Sequence, residues 1–184
     1  NTSGNVQTVT SIAWNPRDSE EILTASLDGT VRLWAVQDVS KHQKSVIKAK
    51  IKTPRQRAAI SAASWDNSGA IIAAAIPLEG GIQLWKSSGP FHRPHIAIEQ
   101  AHLPGSETSC LRFLSDGYGL VSRGGDDTMK LWDTRNVRSP VFVWEGLPNA
   151  SPHTEICLSP GEEFIITGTS AIKGAGKGAL LFYR

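Results

Sequence analysis

The stretch SCLRFLSDGYGLVSRGGDDTMKLWDT, residues 109–134, holds two apolar runs broken by turn residues, and it recurs three more times along the chain. Its counterparts are TSIAWNPRDSEEILTASLDGTVRLWAV (10–36), SAASWDNSGAIIAAAIPLEGGIQLWKS (61–87) and EICLSPGEEFIITGTSAIKGAGKGALLFYR (155–184). A first anchor falls at Trp14, Trp65, Phe113 and Leu158, and a second at Trp34, Trp85, Trp132 and Phe182. The second anchors lie 51, 47 and 50 residues apart, whereas the two anchors within a unit lie 20, 20, 19 and 24 apart. Nearly constant spacing inside a unit and looser spacing between units mark a repeat architecture.

Each unit reads as short strands. TVRLW (30–34) and TMKLW (128–132) alternate with a period of two, and EILTAS (21–26) and EFIITGT (163–169) are rich in β-branched residues. Turns separate the strands at Asn15-Pro16, Asn67-Ser68-Gly69, Ser115-Asp116-Gly117 and Ser159-Pro160-Gly161, and again at Asp28-Gly29, Glu79-Gly80-Gly81 and Asp126-Asp127. Helical periodicity is absent. The first three units add a further strand, SVIKAKIK (45–52), PHIAIEQ (94–100) and PVFVWE (140–145). Four strands per unit, a to d from inside to outside, form the blade of an all-β propeller. The expected blades are 8–52, 59–100, 107–145 and 153–184, the last lacking its outer strand.

Over residues 8–184 the chain resembles the WD-repeat family, although the Trp-Asp dipeptide survives only at Trp132-Asp133. AHLPGSETSC (101–110), SRGGDDTMKLWDTR (122–135), GLP (146–148) and TGTSAIKGAGKGALLFY (167–183) resemble its gastrulation-defective subfamily more narrowly. The resemblance implies a ring of about seven blades, of which this chain supplies an arc of about four. An arc exposes strand edges and blade faces, so self-association of this piece is expected.

The resemblance also implies a hydrogen-bonded chain in the third blade, in which the loop residue His102 links Ser122 to Trp132 while Asp126 orients the imidazole. The residue types suit it, since imidazole donates and accepts, carboxylate accepts and indole only donates. No matching His stands in the other units, so those blades are expected to be held mainly by apolar packing. Asp126 falls six residues before its anchor, where Asp28 and Glu79 also fall, so its acidity belongs to the repeat. Neighbouring side chains diverge in a turning chain, which argues against Asp126 and Asp127 sharing a proton as a catalytic dyad.

At the end of strand c, Asp133 and Arg135 share a face, and the carboxylate can hold the guanidinium extended. The W-D-x-R box resembles the one by which WD-repeat substrate receptors dock on the damaged-DNA-binding adaptor of cullin-RING ubiquitin ligases, on the bottom face of the ring. An intrablade salt bridge is the alternative reading. On the opposite, top face, the resemblance places the long b–c turn 171–178, where Lys173 and Lys177 either meet an acidic partner or are simply solvated. KHQKSVIKAKIKTPRQR (41–57) carries seven Lys or Arg and no acid. Its Lys48, Lys50 and Lys52 alternate with apolar residues, as befits a guarded outer edge. With Arg55 and Arg57 they form the basic patch of the alternative, a scaffold in an RNA-processing or chromatin assembly. No aromatic residue is available there for base stacking, so nucleic acid is not favoured.

Enzymatic chemistry finds no motif. HRPH (92–95) lacks a third zinc ligand nearby. No G-x-S-x-G is present. KGAGKGAL (173–180) fails as a phosphate loop because Gly178 follows Lys177, where Ser or Thr is required. No cofactor, metal or catalytic residue is expected. With 184 residues and a net charge of +2, composition gives no whole-chain reason for nucleic-acid or membrane binding. The longest apolar run, Ala70 to Ile76, is far shorter than the roughly 20 residues of a membrane span. The opening residues carry neither Met nor a signal core, so a piece of a longer chain is expected. Cys110 and Cys157, both in strand-like runs, are expected as small buried thiols, consistent with an intracellular, nuclear location.

Overall fold

The computed structural model describes residues 4–37, 42–52, 58–171 and 176–184. They form four antiparallel sheets, each a meander in chain order. The first contains β1 (Val9–Asn15), β2 (Asp18–Ser26), β3 (Thr30–Ala35) and β4 (Gln43–Lys48). The second contains β5 (Ala62–Trp65), β6 (Ile71–Ile76), β7 (Gly81–Lys86) and β8 (Ile96–Ile98), with one 3-10 turn, Pro77–Glu79, between β6 and β7. The third contains β9 (Thr108–Phe113), β10 (Gly119–Gly124), β11 (Met129–Asp133) and β12 (Phe142–Trp144). The fourth has three strands, β13 (Ile156–Leu158), β14 (Ile165–Gly168) and β15 (Leu180–Tyr183). No helix among the described residues is long and apolar enough to cross a membrane.

The sheets stack face to face as blades. β1 packs on β5, β5 on β9, and β9 on β13, so the first strands line the inside of an arc. Three apolar cores lie at the three joints: Leu23, Leu33 and Ile47 meet Trp65, Ile72 and Trp85; Ala75, Ile82 and Leu84 meet Leu111, Phe113 and Trp132; Val121 and Met129 meet Ile156. The architecture is a partial propeller.

A hydroxyl clasp repeats along the inner wall. Thr10 Oγ1 donates to Ile60 O (2.9 Å), Ser61 Oγ to Thr108 O (2.8 Å) and Ser109 Oγ to Thr154 O (2.6 Å). Each clasp satisfies a carbonyl of the neighbouring blade and fixes the stacking register.

Strand register corrects the fourth anchor. One row crosses each sheet: Trp14, Ile22 and Trp34; Trp65, Ile72 and Trp85; Phe113, Leu120 and Trp132. In the fourth sheet that row is Leu158, Ile165 and Tyr183 rather than Phe182. Because side chains alternate across a strand, the one-residue offset reverses the face. Tyr183 packs against the third blade, with its ring 5.7 Å from that of Trp144, and Phe182 is 60% exposed. Cys157 lies on that same uncovered face and is exposed, contrary to expectation, whereas Cys110 is buried at the third joint. The opposite end of the arc is uncovered too: Trp14 is 58% exposed, against 5% for both Trp65 and Phe113 in the same row position.

Candidate functional site

The two ends of the third blade carry different chemistry. At the b–c end, His102 is fully enclosed, with Nδ1 2.9 Å from Asp126 Oδ1 and Nε2 2.8 Å from Ser122 Oγ. Trp132 Nε1 donates to the same Ser122 oxygen at 3.1 Å. Indole can only donate, so Ser122 accepts from Trp132 and passes its own proton toward His102 Nε2; His102 Nδ1–H then donates to Asp126. Thr128 Oγ1 (2.8 Å) and Leu103 N–H (3.1 Å) complete the shell of the carboxylate. Burial opposes ionisation of Asp126, but the hydrogen bond from His102, with those of Thr128 and Leu103 N–H, outweighs it and holds the carboxyl well below the usual carboxylate range. Gly124 makes room for the pair, because a Cβ there would overlap both His102 Nδ1 and Asp126 Oδ1. The chain that the family resemblance implied is therefore present in full.

Asp127 turns away from Asp126. It adopts φ +60°, and its Oδ1 accepts from Asn149 N–H at 2.8 Å. Asn149 is buried, with Nδ2 donating to Ser109 Oγ (3.1 Å) and Gly124 O (3.0 Å). Beside it Arg123 is fully buried, its guanidinium donating to the carbonyls of Gly124, Thr128, Leu147 and Pro148 at 2.7–3.4 Å. Loss of water pushes the Arg123 pKa down. Together these residues bolt the b–c turn of the third blade to the connection that enters the fourth.

The first blade carries a parallel network that its lack of His concealed. Trp34 Nε1 donates to Thr24 Oγ1 (2.9 Å), and Thr24 donates to Asn5 Oδ1 (3.0 Å). Asp28 accepts from Thr30 Oγ1 (2.6 Å) and Val6 N–H (2.9 Å), as Asp126 does from Thr128 and Leu103. Burial raises the Asp28 pKa, but these hydrogen bonds, with Arg32, bring it below the ordinary value. Asn5 thus stands where His102 stands, so the first blade carries a polar chain in addition to the apolar packing expected to hold it. The second blade has Ala74 in the row of Ser122, and its fully buried Trp85 has no partner for Nε1 among the described residues.

At the opposite end, β11 stops at Asp133 and the chain turns back, with Asn136 N–H donating to Asp133 O at 2.9 Å. Arg135 folds onto Asp133: Nε donates to Oδ1 (2.9 Å) and Nη2 to Oδ2 (2.7 Å). The guanidinium also lies over the Tyr118 ring, 4.2 Å from its centroid. The side chain of Arg135 remains 63% exposed. Arg135, through its side chain first and its backbone N–H second, holds Asp133 down to about 2, and Asp133 raises Arg135 in return. Sequence reasoning paired Asp133 with Arg135 but missed Tyr118, which arrives from the a–b turn. The intrablade salt bridge is real, and it leaves the end of the guanidinium directed outward.

The basic stretch does not fold as one strand. β4 ends at Lys48, because the chain must leave for the second blade: Lys50 N–H donates to Gln83 Oε1 (3.0 Å), Gln83 Nε2 donates back to Lys50 O, and Lys52 N–H donates to Glu79. Lys52 Nζ pairs with Glu99 at 2.7 Å and Lys44 with Glu21 at 2.8 Å. Lys48, Lys50 and Lys52 are exposed, but carboxylates interrupt the patch. Arg55, Arg57 and Lys173 lie outside the described residues, and Lys177 is exposed.

Comparison with known proteins gives a consistent result. The family model of the WD domain, G-beta repeat, matches residues 1–35 and 96–133. The chain is 41% identical over 184 residues to WD repeat-containing protein 70 of Bos taurus and 39% identical over 183 residues to that of Xenopus tropicalis, in each case across 100% of this chain. It is 36% identical over 182 residues to the Gastrulation defective protein 1 homolog of Drosophila melanogaster, across 99% of this chain. The chain spans 27–29% of the length of these relatives.

Proposed function

Because the chain belongs to the WD-repeat family, a family of protein-interaction scaffolds, we propose that it contributes the bottom face through which a nuclear substrate-receptor-like protein docks on the damaged-DNA-binding adaptor of cullin-RING ubiquitin ligases. The observation that carries this reading is Arg135, an exposed guanidinium fixed in position by Asp133 and Tyr118. A side chain ordered in advance loses less entropy on binding, which is what a docking residue gains from such supports. The top face, with the d–a loops and Lys177, is left for a second protein. Function is then simultaneous binding on rigid blades, and ligase chemistry belongs to the partner complex.

The test is capture of the purified adaptor by the full-length protein. Arg135→Ala reduces capture at least about tenfold, in the range of an interface hot spot. Asp133→Ala reduces it less, since it loosens Arg135 without removing it. Unaltered capture by both variants overturns the reading. The RNA-processing or chromatin alternative rests on the basic stretch, where Glu79, Glu99 and Glu21 already engage the backbone or side chains of its lysines. Taken alone, the 184-residue piece is proposed to self-associate through the uncovered faces bearing Trp14 and Phe182, and a strictly monomeric species in sedimentation would speak against it.

A further inference from the structure

Strand register sets the outer parts of the blades side by side. Arg32 lies opposite Val46 in the first blade, Gln83 opposite Ala97 in the second and Lys130 opposite Val143 in the third. Two residues earlier on the same strands, Thr30 and Thr128 stand where the second blade has Gly81. The second blade is thus smaller at two positions, and both are on the face turned to the first blade. Gly81, Gln83 and Ala97 alternate along their strands with Ile82, Leu84, Ile96 and Ile98, which pack on the other face, toward the third blade.

The space left is a cleft of about 510 Å3 at the outer rim of the top face, between β8 and the linker that leaves β4. Ile51, Ile76, Leu78 and Ala97 give it apolar lining, Ile76 buried and Leu78 exposed. Its linker wall is pinned to the second blade. Lys50 N–H donates to Gln83 Oε1 (3.0 Å), Gln83 Nε2 donates back to Lys50 O, and Lys52 N–H donates to Glu79. Walls held in this way have little to reorganise when a ligand enters.

Charge decides what kind of ligand fits. Around the cleft stand Lys50, Lys52, Glu79 and Glu99. Lys52 Nζ and Glu99 pair with each other at 2.7 Å, and Glu79 accepts from Lys52 N–H. Lys50 is exposed, and its ammonium has no partner among the described residues. Lys48, also exposed, precedes it by two residues. A basic segment would meet these lysines with like charge, and an uncharged one would gain nothing from them, whereas an anion on an apolar carrier matches both parts of the site. Resting on the reading that a second protein meets the top face, we infer that this cleft receives an acidic–apolar segment of that partner: a large apolar side chain enters between β8 and the linker, and a nearby Asp or Glu carboxylate accepts from Lys50. Burial of the apolar anchor supplies most of the affinity, and the exposed ion pair selects the sequence.

The probe is a phage-displayed library of short random peptides selected on the full-length protein. Enriched peptides are expected to join a large apolar residue to Asp or Glu within a few positions. Two variants then locate the site. Ala97 is exposed, so Ala97→Trp fills the cleft without touching the core and weakens the leading peptide about tenfold or more. Lys50 holds the linker through its backbone, so Lys50→Glu leaves the wall in place and weakens the same peptide about tenfold by charge reversal. Peptides that bind both variants within about twofold of the unaltered protein overturn the cleft inference and leave the top-face reading standing. Peptides lost on Ala97→Trp but free of acidic residues, or indifferent to Lys50→Glu, overturn the acidic complement. A selection that enriches nothing overturns the inference and the top-face reading together. Far-UV circular dichroism of Ala97→Trp separates a filled cleft from a misfolded blade; Ala97→Leu, a smaller filling, is the second variant and is expected to lose about threefold.

Discussion

The second and third blades bury the same tryptophan in the same row and treat its N–H in opposite ways. Trp132 of the third blade donates to Ser122 and so joins a chain that reaches His102 and Asp126. Trp85 of the second blade is as deeply buried, yet Ala74 faces it and its Nε1 has no partner among the described residues. The indole is thus kept for its packing, and the polar chain is an addition that fixes the loop before strand a onto the turn between strands b and c. A blade can stand without a hydrogen bond on its buried indole; a blade whose loops must hold their position gains from wiring.

The strongest way to break the comparison is His102→Ala. It leaves Ser122 and Asp126 short of a buried partner and opens a cavity, and a loss of about 3 kcal/mol is expected in urea or thermal unfolding of the full-length protein. Adaptor capture by the folded variant stays unchanged, since Arg135 is at the other end of the blade. Ser122→Ala should cost less on its own, and the two together should cost less than their sum, because they interrupt one chain.

Acid titration reaches the same site more gently. The folded-state pKa of Asp126 is depressed below its unfolded value, so its contribution is fully present above the ordinary carboxylate range and is lost as pH falls below about 4. Asp126→Asn should flatten the dependence of stability on pH in that window while lowering stability at neutral pH. An equally steep acid transition in the variant would show that other carboxylates govern it. The smallest expected effect is the converse change, Ala74→Ser in the second blade. It offers Trp85 Nε1 an acceptor at almost constant volume, and a gain of no more than about 1 kcal/mol should register as a modest rise in Tm.

Much of this was legible in the chain. The repeat and the strand order follow from spacing and residue type, and the family resemblance implies the His102–Ser122–Trp132–Asp126 set, which those residue types suit. The polar chain of the first blade was harder to read because Asn5 takes the place of His102, although Asn5-Val6, Thr24, Asp28 and Trp34 stand in the same order as His102-Leu103, Ser122, Asp126 and Trp132. Asparagine offers an acceptor and a donor on one amide, so a search for imidazole passes over it. The clasp residues Thr10, Ser61 and Ser109 were equally visible as hydroxyls opening each of the first three units, but a hydroxyl at a strand start has many ordinary uses.

Sequence alone determined the all-β repeat, because alternation and turn residues act over a few neighbours and leave their period in the chain. It also determined the pairing of Asp133 with Arg135, which are two residues apart. Tertiary structure alone decided which side of a strand meets the next blade, and so placed Tyr183 rather than Phe182 in the fourth joint. It alone brought Tyr118 beneath Arg135, buried Arg123 among four carbonyls, and divided the lysines between strand and linker. Those outcomes depend on contacts between segments far apart in sequence, where a one-residue change of register reverses a face.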